Sequence, residues 1–493
     1  MKSSRSSAGR ASFRCLASLA AIAVVSTVLA TDGRSEPKRF YVSRAGSNAD
    51  GKSWTTAWNE LDRIDWSVVQ PGDTILLDGG ATKMVYTTIL TVGASGTEAA
   101  PILIQRATET GHDGQAVIFG GRSTPLVCGH ATQYTYQTEG VRKYGVDLGA
   151  CSYVTLDGMK WRGIAIYGHN LHGIHLSRGS SHDIVRNVEI YDNGQAIFNS
   201  TQKWWNSDQP GVGLTGAAHT FERDIIHDNG QDAFQCGGGL SDLTIRQCWL
   251  YNGRPHPRSP ALASNYTMHS DGIQVYGGGV QSGILIEGCI VGPGLMQGTI
   301  LGQSPSNNVA AQVDDVTIRD SLFLDTTNAN IMGYPQVKSR NWTIDHVTAF
   351  LTRTNPDGKE RTNLFLEGNG HKIANSIFYG SALYLPGEVT AEGNVQFNTS
   401  GRSIGQTTDP QFVNAPAYDS NPDLVTLIQS DFALKLGSPA QGKGASVTSV
   451  VRLLGDASLI PIPPSDDANT SFVPEDEDGA WYAPYGLRAM RSS

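Results

Sequence analysis

The chain has 493 residues with 56 glycines and only 17% charged residues, a balance that suits short strands and tight turns better than long surface helices. Its 37 Lys and Arg stand against 46 Asp and Glu, a net charge of −9, and they form no basic run or stripe, which argues against nucleic acid as a partner. Beyond residue 30 no stretch is apolar for long enough to cross a bilayer, which argues against a membrane protein.

Residues 1–30 have the pattern of a secretory signal peptide. Lys2, Arg5, Arg10 and Arg14 precede an apolar stretch from about Leu16 to Leu29, and Val28-Leu29-Ala30 ends it like a cleavage site. Cleavage would remove those four basic residues and leave 33 against 46 acidic ones, a net charge of −13 on a secreted, extracellular or periplasmic protein. Such a protein suits divalent cations or neutral sugars, and on a polyanion it would need a cation or a local basic cleft to offset repulsion. Cys128, Cys151, Cys236, Cys248 and Cys289 remain after cleavage, an odd number that leaves at least one thiol unpaired. Cys128 and Cys151 bracket one loop and are the best placed for a disulfide.

From Cys151 to about Asn398 one shape recurs. A short strand is followed by a glycine-containing turn and a longer alternating strand, often closed by Asn-Gly, as in IVRNVEIYDNG (184–194), FERDIIHDNG (221–230) and LTIRQCWLYNG (243–253). The first small residue of each short strand falls at Gly173, Gly211, Ala233, Gly272 and Gly298, at spacings of 38, 22, 39 and 26 residues. Period-2 alternation makes these strands. A unit of that length cannot bury its own apolar face, so it must stack on its neighbours. The fold class this repeat predicts is all-β, a β-solenoid with loop inserts on one face. Residues 461–493 are acidic and Pro-rich and are expected to be a strap or a partly disordered tail. A monomer is expected.

Alternation assigns the faces of the short strands. Ile174, Leu176, Phe234, Cys236, Ile273 and Val275 point into the core. His175, Gly213, Gln235, Gln274 and Tyr276 point out, beside an outward column of Gly173, Gly211, Ala233 and Gly272. Small residues would leave room for a sugar chain, and the amides and imidazole would hydrogen-bond its hydroxyls. The inserts 195–210 and 252–268 rise beside this face. They bring Lys203, Trp204 and Trp205, and Arg254 and Arg258, as further substrate contacts, tryptophan being a natural platform for sugar rings.

Asp232 and Asp271 occupy the same place in successive coils, just before the small residue. If the coils stack in register the carboxylates are neighbours, and like charges so close resist joint ionisation. Either they share a proton, as a general acid/base pair does, or they hold a cation, with Ca²⁺ the best match to hard oxygen ligands. Two turn-capping aspartates are the plainer alternative. His269, two residues from Asp271, titrates near neutrality and is a candidate base.

Several segments carry a resemblance. FYVSRAGSNADGKSWTTAW (40–58), VQPGDTILLDGG (69–80), the coils, and DPQFVNAPAYDSNPDLV with DFALKLGSPAQGKGA resemble the right-handed parallel β-helix, or pectate-lyase-like, proteins that act on polysaccharides. HSDGIQ resembles the NTDGID segment of polygalacturonases, which implies a catalytic Asp271, yet the following GPGLMQGTILG lacks the Asp pair of those hydrolases. NGQDAFQC resembles the calcium-binding NGDDGFD of one pectate-lyase group, which implies a metal-binding Asp232, with Gln231 and Gln235 standing where two further acids would be. The resemblance implies that residues 31–460 form a right-handed parallel β-helix with an N-terminal cap and a C-terminal closing segment, a carbohydrate-active fold that hosts several chemistries. Three readings stay open: a lyase that cleaves a uronic-acid polymer by β-elimination, a glycoside hydrolase using the Asp pair, and a glycan-binding surface protein without catalysis.

Overall fold

Each coil of the chain has three short strands, and every strand pairs with its counterpart one coil away. In the computed structural model, the residues described are 36–121, 142–194, 197–199, 204–206, 210–253, 270–303, 311–334, 338–352, 361–418, 420 and 422–460. One all-parallel sheet of 12 strands runs from Arg39–Val42 to Val389–Glu392. The second sheet contains Ile164–Tyr167, Val188–Tyr191, Ile225–His227 and Trp249–Tyr251. The third contains Val146–Gly149, Ile174–Leu176, Val212–Leu214, Phe234–Cys236, Ile273–Tyr276, Gln297–Gln303, Ala329–Gly333 and Thr362–Phe365. This is the stacked solenoid that the repeat spacing predicts and the right-handed parallel β-helix that the resemblance implies. The core is a single stack of inward side chains, such as Ile174, Val212, Phe234 and Ile273 at the same register.

What the sequence presents as one long alternating strand is two, bent at a residue with positive φ. The bend falls at Asn187 (60°), Arg223 (55°), Gln247 (53°), Gly288 (62°) and Asp320 (49°). The other two corners of the coil use the same device five residues away on either side, as in Asp315, Asp320 and Asp325, at 53°, 49° and 46°. Asp, Asn and Gly dominate because they reach this backbone region at least cost. The residue after each bend points inward and caps the neighbouring coil. Val188 N–H donates to Asp224 (2.8 Å), Asn193 N–H to Asn229 (3.1 Å) and Cys289 N–H to Ser321 (3.1 Å). Corner amides, which no ladder satisfies, are paired this way.

The cysteines belong to this interior. Cys236, Cys248 and Cys289 are buried free thiols, and Cys289 Sγ donates to the Ile245 carbonyl at 3.4 Å. Cys151 is also a free thiol, directed at the Val92 carbonyl at 3.4 Å, and its expected partner Cys128 lies outside the described residues.

The closing segment, with helices Leu424–Ile428 and Val450–Leu454, packs on the outside of the second sheet. Leu424, Leu427, Phe432 and Val450 bury Trp249, Leu322, Phe350 and Ile377 there. Among the described residues this segment gives the third sheet no such cover. The connections that carry the long inserts 122–141, 195–209 and 254–269 all run from the second sheet to the third. The first and last of these, with the expected signal peptide and tail, lie outside the described residues. Among the described residues no helix is long and apolar enough to cross a membrane.

Candidate active site

The outward column of the third sheet is fixed by register: Asp147, His175, Gly213, Gln235 and Gln274 lie side by side on successive coils. His175 and Asp147 meet there. Nδ1 of His175 lies 2.9 Å from Oδ1 of Asp147, and both side chains keep about a quarter of their surface open, 26% and 25%. An ionised carboxylate only accepts, so Nδ1 carries the hydrogen, and in the neutral ring Nε2 is then the nitrogen with the lone pair. The hydrogen bond from His175, ahead of any other cause, holds the Asp147 carboxyl below its usual range. Gly149 N–H donates to the same oxygen at 3.0 Å and helps fix it.

Two rings steady the imidazole. Tyr144 stacks on His175, with centroids 4.6 Å apart and planes 10° from parallel, and also on His172 at 5.5 Å. Burial pushes the Tyr144 hydroxyl up, and the nearby Asp147 charge adds to that, so the phenol stays protonated. Burial drives His172 down to about 4, so it is a neutral ring near neutral pH and adds no charge beside His175. Gly213 makes this packing possible. A Cβ there would lie 2.9 Å from Cδ2 and Nε2 of His172, inside van der Waals contact. Farther along the column, Gln235 Nε2 donates to Gln274 Oε1 at 3.1 Å. Gln235 is half-buried and Gln274 nearly buried, and Tyr276 is half-buried at the end of its strand.

The glycine column faces the other way from its expected direction. A Cβ on Gly173 would meet Ile190 at 2.5 Å and Asn193 at 2.8 Å, and one on Gly211 would meet Asn229 at 2.6 Å. Ala233 lies in the core. These residues sit at the corner before the strand begins, where period 2 does not yet hold, and they are small because the inward asparagines fill the space.

Asp232 and Asp271 are stacked one coil apart, as the repeat predicts, but both are fully buried. Asp271 N–H donates to Asp232 Oδ1 at 2.7 Å, and Gln297 N–H donates to Asp271 Oδ1 at 3.1 Å. Each carboxylate therefore caps the amide of the next coil rather than opening onto the outer face. Carboxylates enclosed in this way do not suit a hydrated calcium ion bridging to a substrate. Among the described residues no three His, Cys, Asp or Glu side chains gather as metal ligands.

The insert at 195–210 holds a hairpin of Ile197–Asn199 and Trp204–Asn206. The side chains of Trp204 and Trp205, and all of Lys203, Arg254, Arg258 and His269, lie outside the described residues. Asp147 and Tyr144 are the residues that sequence reasoning missed. The signal was one coil upstream, where Tyr-Gly-Val-Asp-Leu (144–148) repeats the spacing of His-Gly-Ile-His-Leu (172–176).

No protein-family model matches the chain, and no curated protein matches it. Solved structures do resemble it. The pectate lyase Pel9A is 18% identical with a TM-score of 0.43, over 83% of this chain and 91% of its own. A rhamnogalacturonan lyase is 13% identical with a TM-score of 0.42, over 85% and 99%. An alginate lyase from Paenibacillus sp. str. FPU-7 is 15% identical with a TM-score of 0.32, over 70% and 95%.

Proposed function

We propose that the protein is an exported polysaccharide lyase that cleaves a uronic-acid-containing polymer by β-elimination. The observation that carries this reading is the half-open His175–Asp147 pair stacked on Tyr144, on the outer face of the third sheet. Elimination needs a base for the proton on C5 and an acid for the departing oxygen on C4. His175 Nε2 takes the C5 proton, with Asp147 orienting the ring and stabilising the imidazolium that forms. The C4–O4 bond breaks as the C4–C5 double bond forms, and Tyr144 protonates the leaving oxygen. The products are a chain with a new reducing end and one with an unsaturated sugar. We assign the exposed Lys143, next to Tyr144 in sequence, to meet the substrate carboxylate and offset the acidity of the chain.

Most glycoside hydrolysis uses a pair of carboxyl groups flanking the bond. Asp232 and Asp271 are enclosed, and Asp147 is committed to His175, so elimination is the better match to the groups on this face. The test is a panel of pectate, alginate and glucuronan, read for ultraviolet absorbance of unsaturated products and for reducing ends. Both signals should rise together on one polymer and vanish in His175→Ala. Reducing ends without absorbance would overturn elimination in favour of hydrolysis.

A further inference from the structure

The outward column of the third sheet changes character along its length. After Asp147, His175, Gly213, Gln235 and Gln274, the register continues with Ile300, Met332, Phe365 and Tyr384. Their neighbours Leu301, Ile331, Leu364 and Leu383 fill the core, so the apolar outer residues are not core positions. Ile300 is nearly buried, Met332 and Phe365 are half-buried, and Tyr384 is 48% exposed. The Phe365 and Tyr384 rings stack with centroids 4.6 Å apart and planes 19° from parallel. The second sheet has a matching pair, Phe350 and Tyr379, but there Phe412 and Phe432 of the closing segment pack on it. Among the described residues no other ring packs on Phe365 or Tyr384.

We propose that Phe365 and Tyr384 form a distal stacking subsite for a sugar ring of the same polysaccharide, bound along the helix axis. The inference rests on the carbohydrate reading of this face. Its occupant follows from continuity. One column carries hydrogen-bonding amides and an imidazole at one end and an open aromatic pair at the other, which matches a ligand with hydroxyl edges and apolar ring faces. A peptide or lipid docking on the aromatic pair would have no use for the polar half of the column. From His175 to Phe365 there are six coil steps, a distance of about 29 Å at the ~4.8 Å spacing of paired strands. A chain reacting at His175 reaches the aromatic pair only if it is a long oligomer. The subsite therefore favours polymer over short fragments and holds the long product after cleavage.

The experiment uses the full chain with His175→Ala as a background that binds without turnover. Retardation in native gels containing pectate, alginate or glucuronan reads binding. In the active protein, kcat/KM is compared between polymer and trisaccharide. Tyr384→Ser, at an exposed position, should weaken retardation by about three- to tenfold, the worth of one aromatic contact. It should lower the polymer-to-trisaccharide ratio of kcat/KM by a similar factor. Tyr384→Trp should restore both, and Phe365→Ala should repeat the loss. Retardation of the parent protein with no change in Tyr384→Ser and Phe365→Ala would overturn the subsite while leaving the groove reading intact. Equal losses on polymer and trisaccharide would also overturn it. A parent protein retarded by none of the polymers would overturn the groove reading and the subsite together.

Discussion

His175 and His227 sit on outward columns of neighbouring sheets, and both are stacked on tyrosine and hydrogen-bonded to carboxylates. His227 lies between Tyr191 (5.1 Å) and Tyr251 (4.8 Å), with Asp228 2.6 Å from Nδ1 and Glu189 3.3 Å from Nε2. Glu189 also pairs with Arg162 at 2.9 Å. The two clusters use the same chemistry and differ in cover. The side chain of His227 is 4% exposed and both of its nitrogens are engaged, whereas that of His175 is 26% exposed with one nitrogen committed to Asp147. A His–carboxylate–Tyr stack on a solenoid is thus a structural clamp where it is covered and a candidate catalytic device where it is open. The surroundings decide which, since the residues themselves are nearly interchangeable.

The comparison breaks most sharply at the two centres. Replacing His175 with Ala removes the proposed base and should lower kcat by about 10²- to 10⁴-fold. The melting temperature should stay close to the parent value, because the ring is partly open and closes no core contact. A full-rate His175→Ala enzyme would show that the open stack is not the catalytic one. Replacing Glu189 with Leu should do the reverse. It leaves Arg162 without its buried counter-charge and His227 with Asp228 alone, and should cost about 3–5 kcal/mol in chemical denaturation, with kcat per folded molecule held. A loss of activity at unchanged stability would mean that the roles of the two stacks had been exchanged.

The difference in cover was only partly legible in the sequence. Stacking at 22- to 39-residue intervals gave the fold, and the alternation in Gly-Ile-His-Leu correctly turned His175 outward. Alternation fails at corners, however. Gly173, Gly211, Asp232 and Asp271 lie just outside the strands, where the chain is bending, and their direction is set by the inward asparagines and by unpaired amides seeking an acceptor. The Asp147 partner stands 28 residues before His175, and only coil register brings it within hydrogen-bond range. The closing segment that hides the second sheet is a tertiary effect. Nothing within Ile-Ile-His or Trp-Leu-Tyr says which surface will be roofed.

Gly213 gives a finer cut within the open stack. Gly213→Ala is free of backbone strain, as φ there is not positive, but its Cβ would press on His172 at 2.9 Å. His172 must shift, and the Tyr144 and His175 rings with it. A displacement of the order of 1 Å in a positioned group should lower kcat by about 10- to 100-fold. Little change is expected in thermal unfolding. An unaltered kcat would mean that the stack tolerates movement and that His175 is positioned by Asp147 alone.

The smallest effect sharpens the covered stack. Burial alone would lower the His227 imidazole, but the hydrogen bonds it donates to Asp228 and Glu189 outweigh it and hold the group above its ordinary value. A histidine raised on folding binds more protons in the native state. Its contribution is complete below the unfolded value of about 6.5 and is lost as pH rises through the folded value. Asp183, pushed up to about 7 by burial, gives a separate fall that ends near that pH. The comparison must therefore be made against His227→Gln, which keeps Asp183. Melting temperatures measured from pH 6 to 9 should decline more steeply in the parent than in His227→Gln. Parallel curves would mean that His227 is neutral in the fold, so that Glu189 is balanced by Arg162 alone and the covered stack is held by ring packing rather than by charge.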